Sequence, residues 1–306
     1  MTVVETWKIS EIEEVVDLVN RASPEDRFDL DSVRDAIADD PDHDPNLLLC
    51  VREGGKIVGV IAAEIRRPRG GSRNARAGHV KLLAVDPACQ RRGIGGALLD
   101  QVERQFIDDG VKSSRIFADD PTYLRPGVDF RITSLMCFLL RRGYESARPV
   151  VNMDVDLTRA DLDTSVDEAR LKRLGIEVRR LAATDAEAFE AYLGREWSWG
   201  WQFESMTTLK RTPISTHLAL RDDRIVGFSC HSTMGPAQFG PMGVRPDERR
   251  TGIGAVLLKR CLADLRDEGQ AHADVQWVGP ITFYQRHAGA TLSRAFWQFQ
   301  RELGTG

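Results

Sequence analysis

The chain lacks any long apolar run, since no stretch approaches the roughly 20 consecutive apolar residues that span a bilayer. It has little cysteine: five residues in 306, widely spaced and never in Cys-x-x-Cys, which argues against a disulfide framework or zinc ribbon. It has no basic excess, because 42 Lys and Arg face 46 Asp and Glu, for a net charge of -4. We therefore expect a cytoplasmic protein that binds neither nucleic acid nor a membrane surface.

Several catalytic patterns are also missing. The six histidines form no His-x-x-x-His pair, so the sequence predicts no metal cofactor. No Gly-x-Ser-x-Gly element is present, which argues against a serine nucleophile of the hydrolase type. The chemistry must come from another kind of site.

What the sequence does contain is an internal repeat. Residues 83–110 align without a gap on residues 242–269, with ten identities in 28 positions. Upstream, Lys56-Ile57-Val58-Gly59 matches Arg224-Ile225-Val226-Gly227, but the first copy carries nine more residues between the two blocks, which we place around residues 66–76. Two long copies exclude a solenoid and predict two domains of similar fold.

The copies share one order of predicted elements. Each begins with a strand and a helix, for which Ser10 with Glu13 and Thr184 with Glu187 suggest capping boxes. Hairpin strands, a further strand and a helix follow (95–109 and 254–267, each ending at a Gly), and a strand, helix and strand close the copy. We predict domains at 1–157 and 175–306, joined by a polar linker with a short helix at 158–174.

A glycine-rich turn stands between strand and helix in both copies, as Gln90-Arg91-Arg92-Gly93-Ile94-Gly95 and as Arg249-Arg250-Thr251-Gly252-Ile253-Gly254. Such a turn lets the backbone approach a ligand, and the first helical N–H groups and the helix dipole favour an anion. A Walker A loop is excluded because no Lys-Ser or Lys-Thr follows, and a dinucleotide fingerprint would need glycine at Leu98 and Leu257. The turn predicts a site for a pyrophosphate.

Both copies resemble the GCN5-related N-acetyltransferases (GNAT), whose hallmark is a splayed strand followed by Gln/Arg-x-x-Gly-x-Gly/Ala and a helix. The resemblance covers essentially the whole chain and implies an α/β fold of two tandem domains, each a mixed, mostly antiparallel sheet flanked by helices. It also implies acetyl-CoA as cosubstrate, with backbone groups of the strand holding the pantetheine and amides of the turn holding the phosphates. The residues that this implies are Leu83, Ala84, Val85, Arg91, Arg92, Gly93, Ile94, Gly95 and Gly96 in the first copy and Met242, Gly243, Val244, Arg250, Thr251, Gly252, Ile253, Gly254 and Ala255 in the second.

The family often protonates the departing CoA thiolate with a tyrosine in a pattern like Phe-Tyr-x-x-x-Gly. The second copy has Phe283-Tyr284 at that place, with its glycine one position late, whereas the first copy has Phe138-Leu139. Because leucine cannot donate a proton, we expect Tyr284 to be the donor and the second copy to carry the chemistry.

Other candidate residues stay open at this point. His79 or His231 could serve as general base, although an ordinary strand residue is the commoner role. The aromatic segment 197–203, flanked by Glu196 and Glu204, could line an acceptor pocket or be a packed loop. The longer first-copy loop at 118–130, which contains Tyr123, is typical of a substrate or interface element.

The resemblance implies an acetyltransferase that acts on a primary amine of a small molecule or peptide. One alternative is a non-catalytic acyl-CoA sensor or scaffold that keeps the fold. Another is a small-thiol biosynthesis acetyltransferase of the mycothiol-synthase kind, which length and tandem layout suggest. The sequence does not identify the acceptor or the oligomeric state.

Overall fold

A computed structural model of the chain describes residues 2–69 and 76–304. Its contacts divide the chain into two compact units. Of the described residues, unit 1 comprises 2–69, 76–150 and 296–304, and unit 2 comprises 151–295. The insertion predicted around 66–76 falls largely on residues 70–75, which lie outside the described residues.

The elements up to residue 156 follow the predicted order. They are β1 (Glu5–Thr6), α1 (Ile12–Ala22), α2 (Leu30–Ile37), β2 (Leu48–Glu53), β3 (Lys56–Arg66), β4 (Ala77–Val85), α3 (Ile94–Asp108), β5 (Ser113–Ile116), β6 (Val128–Asp129), α4 (Thr133–Arg141) and β7 (Glu145–Asp156).

The remaining elements repeat that order after the predicted linker helix. They are α5 (Ser165–Arg173), β8 (Ile176–Arg180), α6 (Ala186–Glu196), α7 (Trp199–Met206), β9 (Thr216–Arg221), β10 (Arg224–His231), β11 (Gln238–Val244), α8 (Ile253–Asp267), β12 (His272–Val275), α9 (Ile281–Ala288) and β13 (Thr291–Glu302).

Each unit contains a mixed, mostly antiparallel sheet. In unit 1 the order is β1-β2-β3-β4-β5, with β13 beside β5, and only β4 and β5 run parallel. In unit 2 the order is β8-β9-β10-β11-β12-β7, and there β11 and β12 are the parallel pair. Helices cover both faces of the first sheet: α1 and α2 pack on one apolar cluster, and α3 and α4 pack on the other. The predicted fold class is confirmed.

The closing strands explain why the compact units differ from the predicted domains. Met153–Asp156, at the end of β7, pair with β12 in unit 2. Phe299–Glu302, at the end of β13, pair with β5 in unit 1. The two sequence copies therefore each give part of their last strand to the other unit, a feature that local pattern cannot reveal.

Local backbone signals are largely confirmed. The hairpin turns at Gly54-Gly55 and Asp222-Asp223 have positive φ at all four residues, and Gly110 and Gly269 adopt the left-handed conformation after their helices. The capping boxes expected at Ser10 and Thr184 are wrong, because each helix is preceded by a 3₁₀ turn. There the Glu11 carboxylate accepts from Lys8 N at 2.8 Å, and Asp185 accepts from Ala182 N at 2.8 Å.

Among the described residues, no helix has the length and apolar character needed to cross a membrane. The cytoplasmic location stays a prediction.

The repeated glycine of the Lys/Arg-Ile-Val-Gly segment yields a test of packing. A Cβ on Gly59 would lie 2.5 Å from Ile94 Cγ2, whereas one on Gly227 would meet its nearest neighbours at 3.2 Å. We expect Gly59→Ala to lower the free energy of unfolding by roughly 1–3 kcal/mol, as overpacking does, and Gly227→Ala to lower it less. Urea denaturation measures both, with Gly235→Ala as control because nothing lies within 4 Å of its Cβ. Equal effects of the Gly59 and Gly235 changes would contradict this account.

Candidate active site

The first residue of each glycine-rich turn holds the end of the preceding strand. Gln90 Nε2 donates to Val85 O at 3.2 Å, and Arg249 Nε donates to Val244 O at 3.2 Å. A side chain with an N–H donor is therefore required at this position, which explains the Gln/Arg of the motif.

The two turns adopt the same backbone path. Arg91 and Arg250 have φ of 63° and 65°, and Gly93 and Gly252 have φ of 84° and 97°. Each glycine caps the helix that follows it, and no side chain there accepts the first helical N–H groups. These amides are thus directed at whatever binds the turn.

Strand β4 loses its neighbour on one side just before the first turn. Its parallel pairing with β5 ends at Val80 and Ile116, although β4 continues to Val85. We call the place where β4 and β5 separate the fork. The edge of β4 beyond the fork lines a cavity of about 570 Å³. We call it the first cleft; its lining residues are Ala22, Ser23, Leu83, Ala84, Val85, Cys89, Gln90, Arg91, Gly93, Ile94, Gly95, Gly96, Ile132, Thr133, Ser134, Leu135, Cys137, Phe138, Arg141 and Arg142.

Positive charge lies beside the turn in the first cleft. Arg91 and Arg141 line it, and neither has an acidic partner within residues 2–69 and 76–304. Arg142 Nη1 lies 3.5 Å from the place of a Cβ on Gly96, while the same guanidinium pairs with Asp100. The cleft therefore combines helix amides and arginines at one end, as an anion requires.

Hydroxyl and thiol groups line the cleft as well. Thr133, Ser134 and Cys137 lie on α4 and are exposed, and Ser23 ends α1. Sequence reasoning missed all four, because it searched only for a tyrosine at the place that Leu139 fills. Leu139 is fully buried and does not reach the cleft.

Eight of the nine first-copy residues predicted to bind CoA line this one cavity. The exception is Arg92, which is exposed and pairs with Glu53 at 2.6 Å.

The second-copy turn is covered by the linker helix. Arg170 Nη1 donates to Thr251 O at 2.6 Å, and its guanidinium lies where a Cβ on Gly252 would be. Arg170 is itself held by Asp167 at 3.0 Å. An anion at this turn would have to share it with, or displace, Arg170.

The counterpart of the first cleft is filled by aromatic rings in the second copy. Trp197 ends α6 as Ser23 ends α1, and its indole packs directly on Gly243, the counterpart of Ala84. Phe283 lies 3.4 Å from the place of a Cβ on Gly254. A cavity of about 660 Å³ near the turn includes Gly252 and Ala255, but it reaches none of Met242, Gly243 or Val244.

Tyr284 lies in the core of unit 2. It is 9% exposed and contacts the rings of Phe239 and Phe283, with centroids 6.0 and 5.2 Å away. Burial raises the pKa of its hydroxyl to about 12. In this position the phenol is screened from the turn by Phe283, so the geometry does not favour the expected role as proton donor.

The aromatic segment 197–203, which runs from the end of α6 into α7, is packed. Trp197 stacks on Trp201 with centroids 5.1 Å apart, and both rings meet Phe228 edge-on. Glu204 is buried and accepts from Thr233 Oγ1 at 2.9 Å. Of the two roles left open by the sequence, the packed segment agrees with these contacts.

Both candidate histidines are buried. His231 Nε2 lies 3.3 Å from Asp264, and its Nδ1 is 3.1 Å from Ser232 Oγ. His79 Nδ1 lies 3.0 Å from Asp119 Oδ1, and burial lowers the pKa of its imidazole to about 4. Neither lines the first cleft.

A buried ionic cluster adjoins the fork, and sequence reasoning did not find it. Its centre is Lys81, whose Nζ is 2.5 Å from Asp40, 3.2 Å from Glu64 and 3.4 Å from Asp119. Arg66 pairs with the same three carboxylates and with Asp42 at 2.6–3.3 Å. The sequence holds one signal of this cluster, which is charged residues within otherwise apolar strand segments. These residues are Glu64 and Arg66 in β3 and Lys81 in β4.

Comparisons with known proteins agree with this architecture. The sequence profile of the Acetyltransferase (GNAT) family matches residues 12–122 and 182–289. A mycothiol acetyltransferase from Geodermatophilus obscurus is 26% identical over 225 residues, which cover 67% of this chain and 68% of that protein.

Solved structures show the same fold over the whole chain. A GCN5-related glucosamine N-acetyltransferase region of a fungal multi-domain β-N-acetylglucosaminidase has a TM-score of 0.81 at 19% identity and covers 98% of this chain. This chain spans 38% of that fungal protein. A tandem GNAT protein from the clavulanic acid biosynthesis pathway covers 100% of both chains with a TM-score of 0.68 at 16% identity.

The buried imidazole gives a pH prediction. The pKa of His79 is about 4 in the folded chain, whereas its ordinary value is 6.5. At pH values between these two, the unfolded chain therefore binds one more proton than the folded chain. This group therefore destabilises the fold as pH falls from 6.5 toward 4, by up to about 1.4 kcal/mol per pH unit. We expect His79→Asn to flatten the pH dependence of the unfolding free energy in that window, measured by urea denaturation at pH 7, 6 and 5. An unchanged slope in the variant would contradict it.

Proposed function

Because the chain belongs to the acetyltransferase (GNAT) family, we propose that its first cleft binds acetyl-CoA and transfers the acetyl group to a primary amine. The observation that carries this is the contrast between the two copies: the first cleft is open along both the free edge of β4 and the turn. In the second copy Arg170 and Trp197 occupy the corresponding positions.

The residues of the first cleft fit the cosubstrate in chemistry and order. The amides of Gly93, Gly95 and Gly96, together with Arg91 and Arg142, would hold the pyrophosphate. The unpaired edge of β4 offers the N–H and C=O groups of Leu83 and the N–H of Val85 to the amide-bearing pantetheine, as a neighbouring strand would. The thioester then lies between β4 and the beginning of α4.

Transfer requires a neutral amine to attack the thioester carbonyl and the CoA thiolate to leave. As the amide forms, the attacking nitrogen gives up a proton and the CoA thiolate takes one. The hydroxyl of Thr133 or Ser134, or the thiol of Cys137, all exposed on the cleft side of α4, would accept the first proton as it donates its own to the sulfur. This assignment replaces Tyr284 with a donor that the cleft exposes.

A second candidate acceptor is the amine of a small-thiol precursor. Its support is the 26% identity to the mycothiol acetyltransferase over two thirds of both chains. An acceptor panel that contains such a precursor, polyamines, amino sugars, amino acids and peptide N-termini separates the two, with CoA release as the readout. Steady release with any acceptor also separates an enzyme from an acyl-CoA sensor.

Blocking each turn tests which copy works. Gly93→Trp and Gly252→Trp place the same side chain at positions with matched positive φ, so any backbone strain is similar in both. We expect Gly93→Trp to abolish CoA release and acetyl-CoA binding, and Gly252→Trp to preserve most of both. Calorimetry and steady-state assays measure this, with melting temperatures confirming that both variants fold. Loss of activity only in the Gly252 variant would move the chemistry to the second copy.

The proton donor is tested separately. We expect Tyr284→Phe to leave kcat unchanged, because Tyr284 packs in the core of unit 2 and does not line the first cleft. Among Thr133→Val, Ser134→Ala and Cys137→Ala, one variant should lower kcat by about 10²- to 10⁴-fold, the usual contribution of general acid catalysis. Acetyl-CoA affinity should change little in that variant. A large loss of kcat in Tyr284→Phe, with none in the other three, would reinstate the tyrosine.

A further inference from the structure

The fork between β4 and β5 has a definite base. Pairing of the two strands runs through Gly78 with Ser114, His79 with Arg115 and Val80 with Ile116, and Phe117 N then donates to Val80 O at 2.8 Å. Lys81 is the next residue of β4, and Leu83 is the first residue of β4 that lines the cleft. Lys81 thus stands between the paired part of the strand and the part that faces the cavity.

Lys81 also interrupts the pairing on the other edge of β4. Ala62 pairs with Leu82 and Ala63 with Val80, so Lys81 is an extra residue, a β-bulge. A bulge turns its side chain out of the regular alternation. Here the ammonium enters a pocket where it is 4% exposed.

The partners of Lys81 come from both sides of the fork. Glu64 belongs to β3, on the β4 side, at 3.2 Å. Asp119 and Thr122 belong to the loop that follows β5, at 3.4 and 2.6 Å, and Asp40 follows α2 at 2.5 Å. The buried ammonium of Lys81 therefore contacts residues on both sides of the fork, at the place where β4 and β5 separate.

The charge balance of the cluster makes this ammonium hard to replace. Three carboxylates, those of Asp40, Glu64 and Asp119, lie within 4.8 Å of one another, and Lys81 and Arg66 are the cations among them. Although burial opposes the charge of Lys81, the three carboxylates outweigh it and raise the pKa of the amine. Without Lys81 the carboxylates would repel one another in a poorly solvated space.

We propose that Lys81 is a positioning residue that holds the fork at the width which the pantetheine arm and acetyl group require. This inference rests on the proposed function of the first cleft. Lys81 does not line the cleft and is not among the residues of the glycine-rich turn. Its loss should therefore change how the arm binds and leave the nucleotide end of the cosubstrate unaffected.

Two ligands distinguish the nucleotide end of the cosubstrate from its pantetheine arm. Acetyl-CoA carries the nucleotide and the arm, whereas adenosine 3′-phosphate 5′-diphosphate has the nucleotide without the arm. For Lys81→Met we expect the Kd of acetyl-CoA to rise at least about tenfold, equivalent to about 1.4 kcal/mol, and the Kd of the nucleotide to stay within about twofold of the wild type. Calorimetry on the full chain measures both.

A variant with better charge balance keeps the test available if Lys81→Met fails to fold. Lys81→Met with Asp40→Asn removes one cation and its nearest anion, while the amide oxygen can still accept from Arg66 Nη1 and the amide N–H can donate to Thr122 Oγ1. Arg180→Met is the control, because it breaks an ion pair with Asp264 in unit 2, at 2.6 Å. We expect the control to lower stability and leave both Kd values unchanged.

The outcomes are distinct. Unchanged acetyl-CoA affinity in a folded Lys81 variant, or equal weakening of both ligands, overturns the inference and leaves the cluster a purely structural one. Failure of the wild type to bind acetyl-CoA overturns the proposed function instead, and the positioning role falls with it.

Discussion

A strand that leaves its neighbour inside a protein leaves backbone N–H and C=O groups without partners, and such groups are costly unless something pairs with them. This constraint acts on β4 beyond Val80, where β5 has turned away. Gln90 satisfies the carbonyl of Val85, and β3 satisfies the other edge. The groups still directed at the cleft are free to pair with a ligand that resembles an extended peptide, which is the role proposed for the pantetheine arm.

The second copy differs, because an aromatic side chain fills the corresponding space. Where the first copy has Ser23 and Ala84, the second has Trp197 and Gly243, a large ring against a residue without a side chain. Trp197 and Gly243 fit together as large and small residues do in a well-packed core. The glycine-rich turn of the second copy keeps the same backbone conformation, and there Arg170 donates a hydrogen bond to the carbonyl of Thr251. The beginning of α8 after this turn also packs on β10, since Ile253 Cγ2 lies 3.2 Å from the place of a Cβ on Gly227.

Much of what the two copies share locally could be predicted from the sequence. The offset between the copies, the turn positions and the helix ends follow from glycine placement and periodicity, because these are local requirements of the backbone. The first-copy residues expected at the cleft came from the family resemblance, and eight of those nine line the cavity. The sequence could not predict the contacts between residues that lie far apart along the chain. The exchange of closing strands at Val150 and Ala295 depends on which edges are free in three dimensions. The cluster at Lys81 unites residues up to 82 positions apart, from Asp40 to Thr122.

For Tyr284 the sequence reports the residue type, whereas a proton donor also needs access to the thiolate. A phenol can donate a proton to a thiolate only where the two meet, and the alignment of Phe138-Leu139 with Phe283-Tyr284 reports helix register, not exposure. In both copies the second residue of the pair is buried, Leu139 completely and Tyr284 nearly so. The same helix face therefore packs inward in both units. The groups able to reach a ligand lie on the neighbouring face, where Ser134, Cys137 and Arg141 follow one another at helical spacing along the first cleft.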